Sequence, residues 1–162
     1  MKKLNTIQQN AGMKIKGEYT LKVFKAGTKE LLRETHHENL VVATTNAGLD
    51  LITQHLAGVT TFPLEIDSAA IGTGLTDPSS SDTALETPVL TGIARADITG
   101  RDSTSITMDF FITDAELANG SYSEFGIFCG AQLFARSVIE PAFSKASGED
   151  TLINYQITFI AS

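Results

Sequence analysis

Tryptophan is absent from this chain, and its 162 residues include one cysteine, Cys129. A single thiol excludes an intrachain disulfide framework and fits a protein made in a reducing cytosol. A catalytic cysteine needs a histidine or a helix N-terminus beside it. Nothing in the sequence places one near Cys129, which reads as a small buried hydrophobe. Long apolar runs are also missing. None approaches the roughly 20 residues that a membrane span requires. Lys2 and Lys3 are followed by "LNTIQQNAGM", which is no apolar core of a secretory signal. With only three tyrosines, Tyr19, Tyr122 and Tyr155, a sugar-stacking platform is poorly supplied.

Positive charge is scarce as well. The formal net charge of −7 argues against a nucleic-acid partner. The distribution is uneven. Residues 1–17 hold Lys2, Lys3, Lys14 and Lys16 and no acid, which leaves eight basic side chains against nineteen acidic ones in the rest of the chain. A basic arm on an acidic body has the charge to dock onto a neighbouring copy, the alternative being a solvated tail. We read residues 1–17 as an extended N-terminal arm that bridges subunits, and 18–162 as a single domain, a length that buries a core unaided.

What the chain does have is strand pattern. "EYTLKVFKAG" alternates Tyr19, Leu21 and Val23 with polar residues from Glu18 onward. "KAGTKE" supplies a hairpin turn with Gly27 available for positive φ, and the partner strand runs over about 30–42. One helix is expected, at about residues 46–57 in "TTNAGLDLITQHLAG". Its elements are an N-cap at Thr45 or Asn46, an apolar stripe of Leu49, Ile52 and Leu56 with Leu51 beside them, and a stop at Gly58. Everything later reads as β structure: "EIDSAAIG" as a short buried strand, then "PVLTGIARADIT", "TSITMDFFIT", "YSEFGIFCG", "QLFARSVIE" and "TLINYQITFIA", with period-two alternation in "TSITMDFFIT" and "TLINYQITFIA". About eight evenly spaced strands and one helix predict a mainly β chain, folded as an antiparallel β-sandwich.

The stretch "AIGTGLTDPSSSDTALETPV" looks most like a site. Gly72 and Gly74 lack the following Lys-Ser/Thr of a phosphate loop and the third glycine of a dinucleotide fold, and Asp77-Pro78 breaks any helix behind them. Asp77, Ser79, Ser81, Asp82 and Glu86 supply oxygens, but not at calcium-loop spacing. Ser and Asp side chains that bond their own backbone explain the composition better, with Thr83 and Glu86 as a capping box for one helical turn. A serine nucleophile needs a histidine base. Of the three histidines, His36 and His37 are adjacent on a strand, so they face opposite sides, and His55 lies late in the helix. Asp109, Asp114, Glu116 and Glu124 offer carboxylates without a sugar platform. Glu124 and Arg136 fall on strands expected to pair, which suits a cross-strand ion pair or an intersubunit contact. The reading is therefore of a non-enzyme with no cofactor, metal or small-molecule substrate.

The order of motifs resembles a family of tail-fibre and tail-associated virion proteins of tailed bacteriophages. The blocks are "NLVV" (39–42) with "TNAGLD" (45–50), "IGTG" (71–74) with Pro78 and "SDTAL" (81–85), "SEFGIF" (123–128), "LFARSVIEPAFSK" (133–145) and "YQITF" (155–159). The resemblance covers roughly Glu18 to Ile160. The resemblance implies a non-enzymatic β-sandwich assembled as a symmetric homo-oligomer, a trimer or ring, with other virion proteins as partners. No membrane or nucleic acid is implied. Without a fibrous shaft after Ile160, a fibre base, adaptor, collar or baseplate part of the virion is expected, made in the host cytoplasm. Capsid decoration and a host-surface carbohydrate-binding module are the alternatives. Candidate subunit-contact or structural residues are Lys2, Lys3, Lys14, Lys16, Gly72, Gly74, Asp82, Glu124 and Arg136.

Overall fold

The computed structural model describes residues 12–161. Eight strands and one helix follow one another: β1 (Met13–Lys25), β2 (Leu31–Val41), α1 (Leu49–Leu56), β3 (Ser68–Gly72), β4 (Pro88–Arg101), β5 (Ser105–Ile112), β6 (Gly120–Cys129), β7 (Gln132–Lys145) and β8 (Glu149–Ala161). The strands close in the order β1-β2-β7-β6-β3-β4-β5-β8, every neighbour antiparallel. The expected β-sandwich is thus incorrect, and the molecule is an eight-stranded barrel. Two features close it. β8 is paired along its length with β1 on one side and β5 on the other, through Tyr19↔Tyr155 and Met108↔Tyr155. β2 reaches β7 through Leu40↔Arg136 and Val41↔Ala135. A barrel removes sheet edges, and here the seam is narrow. The first part of β2 has no ladder to β7, and Arg33 spans the gap, donating to both Glu149 oxygens at 2.8 Å and to the Ser144 carbonyl.

Alternation fills the interior. Tyr19, Leu21, Phe110, Phe125, Ile153 and Tyr155 belong to one buried cluster inside the barrel. The buried Tyr19 hydroxyl is satisfied by Ser137 Oγ at 2.5 Å, and Asn39 donates to the Tyr155 hydroxyl at 2.9 Å. A second, smaller cluster of Val42, Ala47, Ala70, Leu85 and Leu133 lies on the outer face of β3 and β7. There the 73–87 loop and the segment after β2 lie over the barrel wall, joined by Ala43 N–H donating to the Ser80 carbonyl at 2.8 Å.

The helix is shorter than expected and turned differently. Neither Thr45 nor Asn46 caps it. The N-cap is Gly48 at φ 54°, with no side-chain cap, and a Cβ there would meet the Val42 carbonyl oxygen at 1.9 Å. Asn46 instead takes φ 60° and donates its N–H to Asp50 Oδ2. The expected stripe, Leu49, Ile52 and Leu56 with Leu51 beside them, is buried only in part: Ile52 packs against the core and Leu49 is exposed. Leu51 is 0% exposed inside the core, and Leu56 is 83% exposed. α1 is a plug laid across one end of the barrel, so one leucine enters it and the flanking two remain outside. The expected arm also needs revision. Residues 1–11 lie outside the described residues, but Met13–Gly17 form the start of β1, paired with Ile157–Ala161.

Candidate functional site

The stretch that looked most like a site is the loop between β3 and β4, and it is built around a buried carboxylate. Glu124 stands on β6 at 0% exposure and points to the outer face of the barrel, beneath that loop. Its neighbour Phe125 points inward, as alternation along a strand requires. Arg136 on β7 is 2% exposed. The register places Arg136 opposite Gly126, and Glu124 opposite Val138, so the two side chains meet on a diagonal. Arg136 Nε–H donates to Glu124 Oε1 at 2.7 Å.

The loop supplies the rest of the shell. Gly74 and Thr87 N–H groups donate to Glu124 Oε2 at 3.2 and 3.0 Å, and Glu86 N–H donates to Oε1. Arg136 Nη1 donates to Asp82 Oδ2 at 3.0 Å and Nη2 to the Thr76 carbonyl at 2.9 Å. Each charge therefore meets several partners, which offsets the several kcal/mol that removing an ion from water costs. Burial alone would lower the Arg136 pKa, but its bonds to Glu124 and Asp82 outweigh that and shift it upward.

This geometry explains the Gly-x-Gly. A Cβ on Gly72 would sit 2.3 Å from the Thr87 carbonyl oxygen and 2.8 Å from Glu124 Oε2. On Gly74 it would sit 2.6 Å from the same carboxylate oxygen. Both glycines let backbone approach the carboxylate closely, and neither has the positive φ of a turn glycine. The expected capping box fails. Residues 83–86 form no helical turn, and the Glu86 carboxylate instead accepts from Leu75 N–H, Thr76 N–H and Thr76 Oγ1–H at 2.8–3.0 Å. Those bonds, the Thr76 N–H foremost, hold the Glu86 carboxyl below its usual range. The expectation that serines and Asp82 bond locally holds: Ser79 N–H donates to Asp82 Oδ2 at 2.9 Å.

The structure thus brings Gly72, Gly74, Asp82, Glu124 and Arg136 together in one node. Sequence reasoning missed Thr76 and gave Glu86 a capping role in place of its bonds across the loop to Leu75 and Thr76. The lysines lie elsewhere. Lys2 and Lys3 fall outside the described residues. Lys14 pairs opposite Ile160, and Lys16 makes ion pairs within the chain to Glu18 (2.9 Å) and Glu38 (3.1 Å). A second polar node lies at the end of the barrel opposite α1. There the buried Lys145 ammonium binds Asp114, and Asp150 accepts N–H groups from Gly27 and Asp114.

Chemically, the Glu124 node is saturated. Its oxygens accept backbone and guanidinium hydrogens, which fixes the loop to the barrel wall. Among the described residues no three His, Cys, Asp or Glu side chains are placed to hold one metal ion. His36 and His37 do face apart: His36 Nδ1 lies 2.8 Å from Thr20 Oγ1, and His37 stacks toward Tyr19. All three tyrosines are at most 4% exposed, so none offers a sugar platform. Cys129 is buried, and burial pushes its thiol up to about 12. Among the described residues no helix is long and apolar enough to cross a membrane. Comparison with protein-family models, with curated proteins and with solved structures finds no match to this chain.

Proposed function

We propose that this chain is a non-enzymatic structural protein of a tailed-bacteriophage virion, part of the tail apparatus, acting by symmetric assembly of identical copies. One observation carries the reading. Four of the sequence blocks that resemble the tail-fibre family supply the Glu124 node: "IGTG" gives Gly72 and Gly74, "SDTAL" gives Asp82, "SEFGIF" gives Glu124 and "LFARSVIEPAFSK" gives Arg136. Blocks far apart in sequence that converge on one saturated contact are what a structural signature requires. A reacting centre would instead leave a donor or acceptor open to substrate. Burial of Tyr19, Tyr122 and Tyr155 weighs against the carbohydrate-binding alternative.

The test is immunogold electron microscopy of purified virions from cells carrying the gene, with antibody raised against the chain. Gold at the tail is expected. Gold on the capsid shell would replace this reading with capsid decoration. A chain that is abundant in the lysate but missing from purified virions by mass spectrometry would overturn it altogether.

A further inference from the structure

The end of the barrel opposite α1 carries an asparagine set apart from the others. Asn119 is exposed, lies in the bend just before β6, and is followed by Gly120. This is the only Asn-Gly pair in the chain. Glycine leaves its backbone nitrogen unshielded, with no side chain to keep it from the preceding amide carbon. Packing does not demand a glycine here. Its φ is not positive, and a Cβ would meet nothing nearer than Tyr122 Oη at 3.8 Å. The other described asparagines, Asn39, Asn46 and Asn154, are half-buried and precede residues with side chains. Asn39 and Asn154 donate their amide nitrogens to Tyr155 and Asp109, and Asn46 Oδ1 accepts from Gln54.

A cation is fixed at the Asn119 carbonyl. Lys145 stands opposite Gly120 across the β6–β7 ladder, and its side chain is 1% exposed. Its ammonium donates to Asn119 Oδ1 at 3.2 Å, as well as to the Asp114 carbonyl and carboxylate. A donor on Oδ1 draws electrons from Cγ and stabilises the negative charge that the oxygen gains under attack. Lys145 holds the amide oxygen and not the nitrogen, so the group that would leave is not the one tied. Just before this amide, Tyr122 Oη–H donates to the Ala118 carbonyl at 2.6 Å and anchors the main chain.

We propose that Asn119 is a site of spontaneous deamidation through a succinimide formed with Gly120. The Gly120 N–H gives its proton to water or hydroxide, and its nitrogen bonds to Asn119 Cγ. The Cγ–Nδ2 bond then breaks, and the nitrogen takes up a proton and leaves as ammonia. Water opens the ring at either carbonyl, giving aspartate or isoaspartate at position 119. Nothing is oxidised or reduced, and water is the only co-reactant. The two products act differently. Aspartate puts a carboxylate where Lys145 already donates, so a neutral acceptor becomes a charge-assisted one. Isoaspartate adds a methylene to the main chain immediately before the Gly120↔Lys145 pair and displaces the start of β6.

Peptide mapping by mass spectrometry tests this on the folded full-length chain, aged for weeks at mildly alkaline pH and body temperature. The peptide holding Asn119 should gain about 1 Da as NH2 is replaced by OH, with an isoaspartyl form among the products. The peptides holding Asn39, Asn46 and Asn154 should be unchanged over the same time. Gly120→Ala, whose methyl fits, should slow the gain by about tenfold with an unchanged circular-dichroism spectrum. Lys145→Met should slow it by about tenfold as well, and Lys145→Arg, which keeps a cationic donor, should restore it in part. Should Lys145→Met not fold, the parent unfolded in guanidinium chloride gives the same comparison, and the folded parent should react faster. No gain at position 119, a gain without isoaspartate, or an equal rate in Gly120→Ala overturns the site. An undiminished rate in a folded Lys145→Met chain, or faster reaction in the unfolded parent, overturns the part given to Lys145.

Discussion

Arg136 donates its Nε–H to Glu124 at 2.7 Å while both side chains lie almost wholly out of water, and the two together hold fifteen residues of loop against the barrel wall. Breaking such a pair leaves a buried charge without its partner, at a cost of about 3–5 kcal/mol. Glu124→Gln and Arg136→Met are both expected to fall in that range by urea unfolding. Replacing both residues by leucine should not recover the loss, because Gly74, Glu86 and Thr87 N–H groups would still lack an acceptor. Limited proteolysis should cut first within residues 73–87. Variants within about 1 kcal/mol of the parent would show the loop to be held by something else.

The glycines give a sharper test of the same node. Gly74→Ala places a methyl 2.6 Å from Glu124 Oε2 and 2.7 Å from Glu86 Cβ, so the loop must lift or the carboxylate must shift. Overpacking of this kind costs about 1–3 kcal/mol. Gly100→Ala is the control, since its methyl would meet nothing nearer than Thr107 at 3.7 Å. It should change the unfolding midpoint by less than about 0.5 kcal/mol equivalent. Equal effects at the two positions would remove close approach to the carboxylate as the reason for Gly72-Thr73-Gly74.

Strand content, the single helix and the hairpin at Gly27 were legible because alternation and turn residues are local signals. Closure was not. A period-two pattern puts alternate residues on an inner face whether that face belongs to a sandwich or a barrel. What decides is β8, which pairs with both β1 and β5, and the short β2–β7 ladder at Leu40 and Val41, which no local pattern announces. The true start of β1 was obscured by Lys14 and Lys16, which alternate with Met13 and Ile15 but read as a charged arm. Glu124 and Arg136 were identifiable as a pair from strand pairing. Their burial was not, because it depends on a loop fifty residues earlier in the chain.

Acid should loosen the end of the barrel opposite α1. Hydrogen bonds from Arg33 lower the Glu149 carboxyl from its ordinary 4.5 to about 2. A carboxylate depressed in the folded state contributes stability that is full above its unfolded pKa and is lost as pH falls through the folded one. The Arg33–Glu149 contribution is therefore complete at pH 7 and disappears between about 4.5 and about 2. Asp114, held low by Lys145, shifts in the same direction. Thermal melts of the parent and Arg33→Leu should differ most near neutrality and converge toward pH 2. A gap that stays constant across this range would mean that Arg33 acts by packing over Phe143 and not by charge.

Leu51 and Cys129 belong to the same core cluster, which makes the thiol a reporter on the plug. In the parent, Cys129 is fully buried, and burial holds its thiol near 12, so at pH 8 it reacts with a thiol reagent only when the core opens. Leu51→Ala removes the one α1 side chain that is fully inside the barrel and leaves a cavity, at an expected cost of about 2–5 kcal/mol. A loss of 2 kcal/mol raises the open population about thirtyfold. Cys129 labelling at pH 8 should accelerate by at least that factor, in step with the urea-derived loss. If labelling speeds up while global stability is unchanged, α1 lifts as a local flap and the barrel beneath it stands without the plug. If neither changes, Leu51 is not what seals this end.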